Sequence, residues 1–307
     1  MSTTDAKIAQ NRVFATNLGW RPQDLGATDF SVLLLQQIAA SQTELGVAVD
    51  GVFGPQSYRA FLTRKQAELM TTIAGTSDDA RLAVAGAIAM IELKRAWLTD
   101  IRDARDLAVT DKDYERCRRF VDDLIRTTAG INWTWEQPFP QGNFKYCGAT
   151  AAKGAAAAGV KLALRTKYYA STYRLDRFAR YQQIDATANP RPSTPGPLRK
   201  IINLGATSTP ADAMFGPNDH LRAGDIVMIG PAETAADYGV HVCTVESVDY
   251  ASGFVTTLEG NGTGLDPYGN KQRGIVRAQR PIGIHGGSLA TYHVRRALRI
   301  GLADLGD

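Results

Sequence analysis

Apolar positions recur at helical spacing over the first third of the chain and at strand spacing near its end. Val32, Leu35, Ile38 and Ala39 repeat on one helical face, which predicts a helix over Phe30 to Leu45. Shorter helices are expected over Asn11 to Leu18 and Pro55 to Lys65. Between the last two, Val49-Asp50-Gly51-Val52-Phe53-Gly54-Pro55 reads as a tight turn. Asp-Gly is a turn pair, and the fixed φ of Pro55 suits the first position of a helix. Residues 67–130 are helical and Ala-rich. Ser77, Asp78 and Asp79 are expected to cap a helix reaching about Arg105, and Asp111 a second one reaching about Thr127. The most apolar run, Leu82 to Ile91, is bounded by Arg81 and Glu92. It falls short of the ~20 residues a membrane span needs, so it reads as a buried helix and no membrane insertion is expected.

The pattern changes beyond residue 131. Trp133 to Pro140 is aromatic and Pro-rich, Gly148 to Gly159 is helical, and Pro190 to Pro197 is a loop. Four runs then read as strands: Ile226–Ile229, Val240–Val248, Phe254–Leu258 and Ile275–Ala278. A helix followed by antiparallel strands makes an α+β domain. The expected organisation is a small all-α unit over 1–66, a helical spacer over 67–130 and an α+β domain over 131–307.

Composition narrows the function. The 307 residues are 44% hydrophobic and 21% charged, ordinary for a globular chain. The net charge is only +4, and the Lys and Arg residues are scattered. The densest basic run, Arg116 to Arg119, sits among Asp111, Asp113, Glu115, Asp122 and Asp123 and reads as a solvated helix face, so no nucleic-acid partner is expected. The three cysteines, Cys117, Cys147 and Cys243, form no CxxC pair and no even-numbered framework. Neither zinc nor a disulfide scaffold is implied, and no cofactor or metal is expected. The opening residues lack a basic segment followed by an apolar one, so a secretory signal peptide is not expected.

The candidate chemistry centres on Cys147. It stands where a helix is expected to begin, behind the polar stretch Gln141-Gly142-Asn143-Phe144-Lys145-Tyr146 and before Gly148. Unpaired N–H groups at a helix start favour a thiolate. A thiolate nucleophile also needs a base and a group that orients the base. His241 lies in the strand-like run Tyr238-Gly239-Val240-His241-Val242, and the next strand ends in Leu258-Glu259-Gly260-Asn261. Adjacent antiparallel strands put Glu259 or Asn261 beside His241, where either would fix the imidazole tautomer.

These pieces resemble the CHAP domain, the cysteine- and histidine-dependent amidohydrolase/peptidase family related to the NlpC/P60 peptidases. The resemblance rests on Tyr146-Cys147-Gly148 opening a helix, Leu221-x-x-Gly224-Asp225-Ile226-Val227, Gly239-Val240-His241-Val242, and Leu258-Glu259-Gly260-Asn261. It implies a papain-like fold, with Cys147 as nucleophile, His241 as base, Glu259 as its orienting partner and Asn261 as a fourth polar member. Gln141 matches the place where papain-like proteases carry an oxyanion donor, and the backbone N–H of Cys147 is a second donor. The long Pro-rich segment from Thr166 to Asp219 departs from the family pattern. Leu34-Leu35-Gln36-Gln37, Leu45-Gly46 and Asp50-Gly51-Val52-Phe53-Gly54-Pro55 are similar to a small helical peptidoglycan-binding domain, which makes Asp50 and Phe53 wall-binding candidates.

Together the two resemblances imply a peptidoglycan hydrolase, an amidase or endopeptidase working through a cysteine acyl-enzyme. The protein would be made in the cytoplasm. It would reach the wall or periplasm by lysis, as an endolysin does, or by injection as an antibacterial effector, with an immunity protein or delivery component as partner. The other readings are a cysteine protease or amidase acting on a non-wall substrate, and an inactive wall-binding protein.

Overall fold

The computed structural model describes residues 2–72, 77–100, 119, 123, 146–159, 200–203, 210–216, 219–230, 241–282 and 293–299. Gln141, Cys117, the helix expected after Asp111 and most of the segment from 166 to 219 lie outside the described residues. The described chain is α+β, with five helices and eight strands. The helices are α1 (Thr3–Leu18), α2 (Val32–Glu44), α3 (Pro55–Thr72), α4 (Asp78–Trp97) and α5 (Cys147–Ala157). No helix among the described residues is long and apolar enough to cross a membrane.

Helix α1 starts at Thr3, well before the expected Asn11. Its first two turns are polar and carry no apolar stripe, so periodicity misses them; the start lies in the cap. The Ser2 hydroxyl accepts from the Asp5 N–H at 3.1 Å, and the Asp5 carboxylate accepts from the Ser2 N–H at 3.2 Å, a reciprocal capping box. Helix α4 stops at Trp97 rather than near Arg105, and Asp100 follows in the left-handed region at φ 53°. The turn before α3 is pinned from two sides. The buried Asn11 side chain donates to Gly51 O and accepts from the Phe53 N–H, while Gln42 bonds both Asp50 and Gly51.

The strands are β1 (Lys200–Asn203), β2 (Met214–Gly216), β3 (Asp219–His220), β4 (Ile226–Gly230), β5 (His241–Asp249), β6 (Phe254–Leu265), β7 (Lys271–Pro281) and β8 (His293–Arg299). Six form one antiparallel sheet in the order β1-β8-β4-β5-β6-β7, and β2 and β3 pair separately. Strand β4 is buried on both faces. Ile226 and Met228 pack with Ala85 and Ala89 of α4 and Ala151, Ala152 and Ala155 of α5; Val227 and Ile229 join Val245, Val255 and Val294 in a second cluster. The alternation is the period of two expected of an extended strand. At the entry to β4, Asp225 takes Arg299 Nε and Nη2 at 2.8 and 2.7 Å, so the Gly224-Asp225 pair ties β4 to the end of β8.

The elements meet through small residues. A side chain on Gly154 of α5 would press on Leu93 of α4 at 3.0 Å. Gly86 of α4 touches Gly224 backbone to backbone, and Gly260 of β6 leaves no room for a Cβ beside Thr150 of α5. Helix α4, expected as part of a spacer, is thus packed into the domain that carries α5.

A buried ionic cluster locks the arrangement. Glu246 of β5 meets Lys94 of α4 at 2.7 Å and Arg277 of β7 at 2.6 Å. Lys94 also donates to the Tyr58 hydroxyl of α3 at 3.2 Å, and Arg277 to the carbonyls of Thr16 and Asn17 at the end of α1, both at 3.3 Å. Burial pushes the Glu246 carboxyl up, but Lys94 and Arg277 outweigh it and hold the group below its ordinary 4.5. A carboxyl depressed on folding stabilises the protein above its unfolded pKa, and that contribution fades as pH falls through the folded value. Glu246→Ala strands two cations and is expected to destabilise by about 3–5 kcal/mol at neutral pH, read from urea unfolding. The gap between wild type and variant should shrink below pH 4.5.

Candidate active site

Cys147 is the first residue of α5, a helix of Ala, Gly, Thr and Lys whose small side chains let it lie close against the sheet. The first intrahelical bond runs from the Thr150 N–H to Tyr146 O at 2.9 Å. The N–H groups before it have no partner inside the helix. The backbone at Gly148 and at Val242 of β5 favours the thiolate of Cys147. Cys147 is only 4% exposed.

His241 opens β5, paired with Ile229 of β4. Its Nε2 lies 3.0 Å from Glu259 Oε2. Cys147 is the other group that acts on the ring, and its contact and charge raise the imidazole. Glu259 of β6 is fully buried. Its Oε1 accepts from Thr257 Oγ1 at 2.6 Å and Arg280 Nε at 2.7 Å, and its Oε2 from Arg280 Nη2 at 2.6 Å. The array therefore runs sulfur, imidazole, carboxylate, guanidinium.

The electrostatics separate the two described cysteines, both of which are buried. Burial pushes each thiol upward. For Cys147 the hydrogen bond and charge of His241, with the backbone at Gly148 and Val242, outweigh burial and bring the thiol below its ordinary 9.0. For Cys243, burial and the nearby Glu259 charge carry it well above that value. Burial lowers His241, but its bonds to Cys147 and Glu259 dominate and raise it to about 10. Burial raises Glu259, yet Arg280 and His241 bring it down to about 2. These directions favour a thiolate–imidazolium pair with a carboxylate behind it, the charge state that thiol chemistry uses.

Asn261 does not share the orienting role. Strand alternation predicted it on the face of Glu259, but the β6–β7 register slips between Glu259 and Gly262. Asn261 sits in that bulge in the left-handed region, φ 57°. A bulge inserts an unpaired residue and resets which side chains face inward. Gly262, not Asn261, backs the carboxylate: a Cβ there would come within 2.6 Å of Glu259 Oε2. Phe53 is also corrected as a wall-binding candidate. It is fully buried, edge-on to Trp20 at 5.3 Å and packed against Tyr58 and Phe61, so no polymer reaches it. Asp50 is exposed, but its carboxylate closes the turn through the Gln42 side chain and the Val52 N–H. Gln141 lies outside the described residues.

Two members of the array were missed in the sequence. Thr257 stands two residues before Glu259, hence on its face, a signal that period two carries. Arg280 had no such signal, because its reach depends on the β6–β7 pairing. Among the described residues, no group of three or more His, Cys, Asp and Glu side chains is placed to hold a metal ion.

Opposite shifts in two buried thiols give a direct test. A small alkylating reagent at pH 6–7 is expected to modify Cys147 and spare Cys243, as mapped by peptide mass spectrometry. His241→Ala should slow Cys147 modification at least tenfold, and preferential labelling of Cys243 would contradict the electrostatics.

Compared with protein-family models, curated proteins and solved structures, the chain matches none of them.

Proposed function

We propose that the chain is a cysteine hydrolase of the CHAP type, with a papain-like catalytic domain, that cleaves an amide bond of peptidoglycan as an amidase or endopeptidase. The observation that carries the reading is His241, whose Nε2 is held by Glu259 at 3.0 Å and whose protonation is coupled to the Cys147 thiol. The thiolate of Cys147 adds to the amide carbonyl carbon, and the carbonyl π pair moves to oxygen. The N–H of Cys147, at the first position of its helix and free of intrahelical bonding, is assigned as a donor to that oxyanion. As the tetrahedral intermediate collapses, the C–N bond breaks and the His241 imidazolium gives its proton to the leaving amine. The thioester then takes water. Neutral His241 accepts a water proton, the C–S bond breaks, and the carboxylic acid leaves as the thiolate–imidazolium pair re-forms. Glu259 holds the tautomer throughout and balances the imidazolium charge.

The wall as substrate is supported by the resemblance of the first 66 residues to a peptidoglycan-binding module. Because the Asp50–Pro55 turn is built for its own structure, wall contact is assigned to the exposed surface of this unit rather than to Phe53. The protein acts at the wall or in the periplasm, as an injected effector with an immunity partner or as an endolysin.

Cys147→Ala is expected to abolish release of soluble muropeptides from purified sacculi while leaving the circular dichroism spectrum unchanged; Cys117→Ala and Cys243→Ala should retain most activity. Mass analysis of the products names the bond cut. Wild-type digestion by Cys147→Ala removes the mechanism, and an active thiol that leaves sacculi intact moves the substrate away from the wall. Glu259→Gln can turn its amide N–H toward Nε2 and disfavour the working tautomer, so a roughly 10- to 1000-fold fall in kcat/KM is expected. The wild-type pH profile should be a bell whose alkaline limb lies well above the 6.5 of free imidazole, since His241 must keep its proton for the leaving amine.

A further inference from the structure

We propose that Arg280 is a positioning residue for the site, holding the Glu259 carboxylate in the one orientation from which it serves His241. The inference rests on the proposed thiol chemistry and extends it to a residue that touches neither the sulfur nor the imidazole through any described hydrogen bond.

Geometry supplies the first reason. An ionised carboxylate offers about four lone-pair sites, two on each oxygen. Here all four are occupied: Oε1 by Thr257 Oγ1 and Arg280 Nε, Oε2 by Arg280 Nη2 and His241 Nε2. The two guanidinium bonds, at 2.7 and 2.6 Å, form a planar fork, and a fork fixes the plane of its acceptor as a single bond does not. Rotating Glu259 to face anything but His241 would break both. Gly262 lies against the same carboxylate, where a Cβ would come within 2.6 Å of Oε2.

Charge supplies the second reason. Glu259 is fully buried and His241 keeps only 14% of its side chain exposed. The groups facing Glu259 are His241 and Cys243 from β5, Thr257 on its own strand, Arg280 from β7 and, beyond the imidazole, Cys147 from α5. With thiolate, imidazolium and carboxylate alone, this interior would carry a net negative charge. Arg280 makes it neutral. Without that cation the buried carboxylate is expected to take up a proton in the mildly acid range, because desolvation favours its neutral form. A protonated Glu259 presents an O–H where His241 needs an acceptor, the imidazolium loses its partner, and the thiolate is lost with it. Arg280 thereby sets how far into acid the site stays armed.

The test reads the thiolate directly and needs no substrate. The rate of Cys147 modification by iodoacetamide is followed from pH 4 to 9 in wild type, Arg280→Gln and Arg280→Lys, with thermal melts as the folding control. Wild type should keep a reactive Cys147 in mild acid. Arg280→Gln should move the acid limb upward by one pH unit or more, a loss of about tenfold at a pH on that limb, with a change under about threefold at pH 8. Arg280→Lys keeps the charge but loses the fork, and a smaller upward shift is expected; it also serves if Arg280→Gln does not fold. Limbs in both variants that overlay wild type would overturn the positioning role while leaving the Cys147–His241 reading intact. A wild-type Cys147 that titrates as an ordinary thiol, with its limb near ~8.5, would overturn both.

Discussion

A carboxylate without water must have cations, and where those cations come from decides how this chain is put together. Glu246 projects from the middle of the sheet and draws Lys94 from one direction and Arg277 from another. Lys94 belongs to α4 and reaches Tyr58 of α3; Arg277 belongs to β7 and takes the last carbonyls of α1. Three helices from the first hundred residues are thereby fixed on the sheet by one acid. Placing α4 places Leu93 against Gly154, and that contact sets how deeply α5 can lie. The depth of α5 is the position of the Cys147 sulfur. Buried ion pairs of this kind contribute little net stability against apolar replacements, but they penalise any arrangement that separates their members. Their contribution here is to a particular geometry.

Glu259 follows the same rule with one substitution. Glu246 has two cations, Lys94 and Arg277; Glu259 has one, Arg280, and an imidazole that in the proposed reaction gives up its proton and regains it. The first carboxylate can only hold. The second holds on one side and responds on the other, because each proton that leaves or joins His241 changes what Glu259 Oε2 faces. The distinction between scaffold and site in this sheet is therefore a distinction in partners, since both acids lie out of water.

Much of this was legible in the sequence, and the remainder was hidden for definite reasons. Helical periodicity located α2, turn and composition signals located α3 and α5, and apolar runs located β4 to β7, of which β4 is apolar throughout because both of its faces are buried. The order Cys147, His241, Glu259 pointed to a thiol array, and the structure brings those three side chains together. The start of α1 was hidden because polar turns have no period. Asn261 was misplaced because alternation holds only where the ladder is regular, and the bulge before Gly262 breaks it. Phe53 was offered as a surface contact because a turn motif does not say which way its aromatic points; Trp20 and Tyr58 settle that from elsewhere in the chain. Arg280 was invisible for the deepest reason, since its partner is twenty-one residues away and is chosen by strand register.

The contact between Gly86 and Gly224 bears on how such a protein could change. Most packed surfaces absorb a substitution by shifting a side chain, but here two main chains lie against each other with nothing between them to yield. A helix joined to its sheet in this manner has a keyed seat. Grafting a foreign helical module ahead of Tyr146 would need a glycine in register with Gly224 and a leucine in register with Gly154, or the new helix would ride high and carry α5 with it. Helix α4 is bound to the thiol-bearing half as lock to key, and any rearrangement of the chain would have to move the α4 segment together with the sheet it fits.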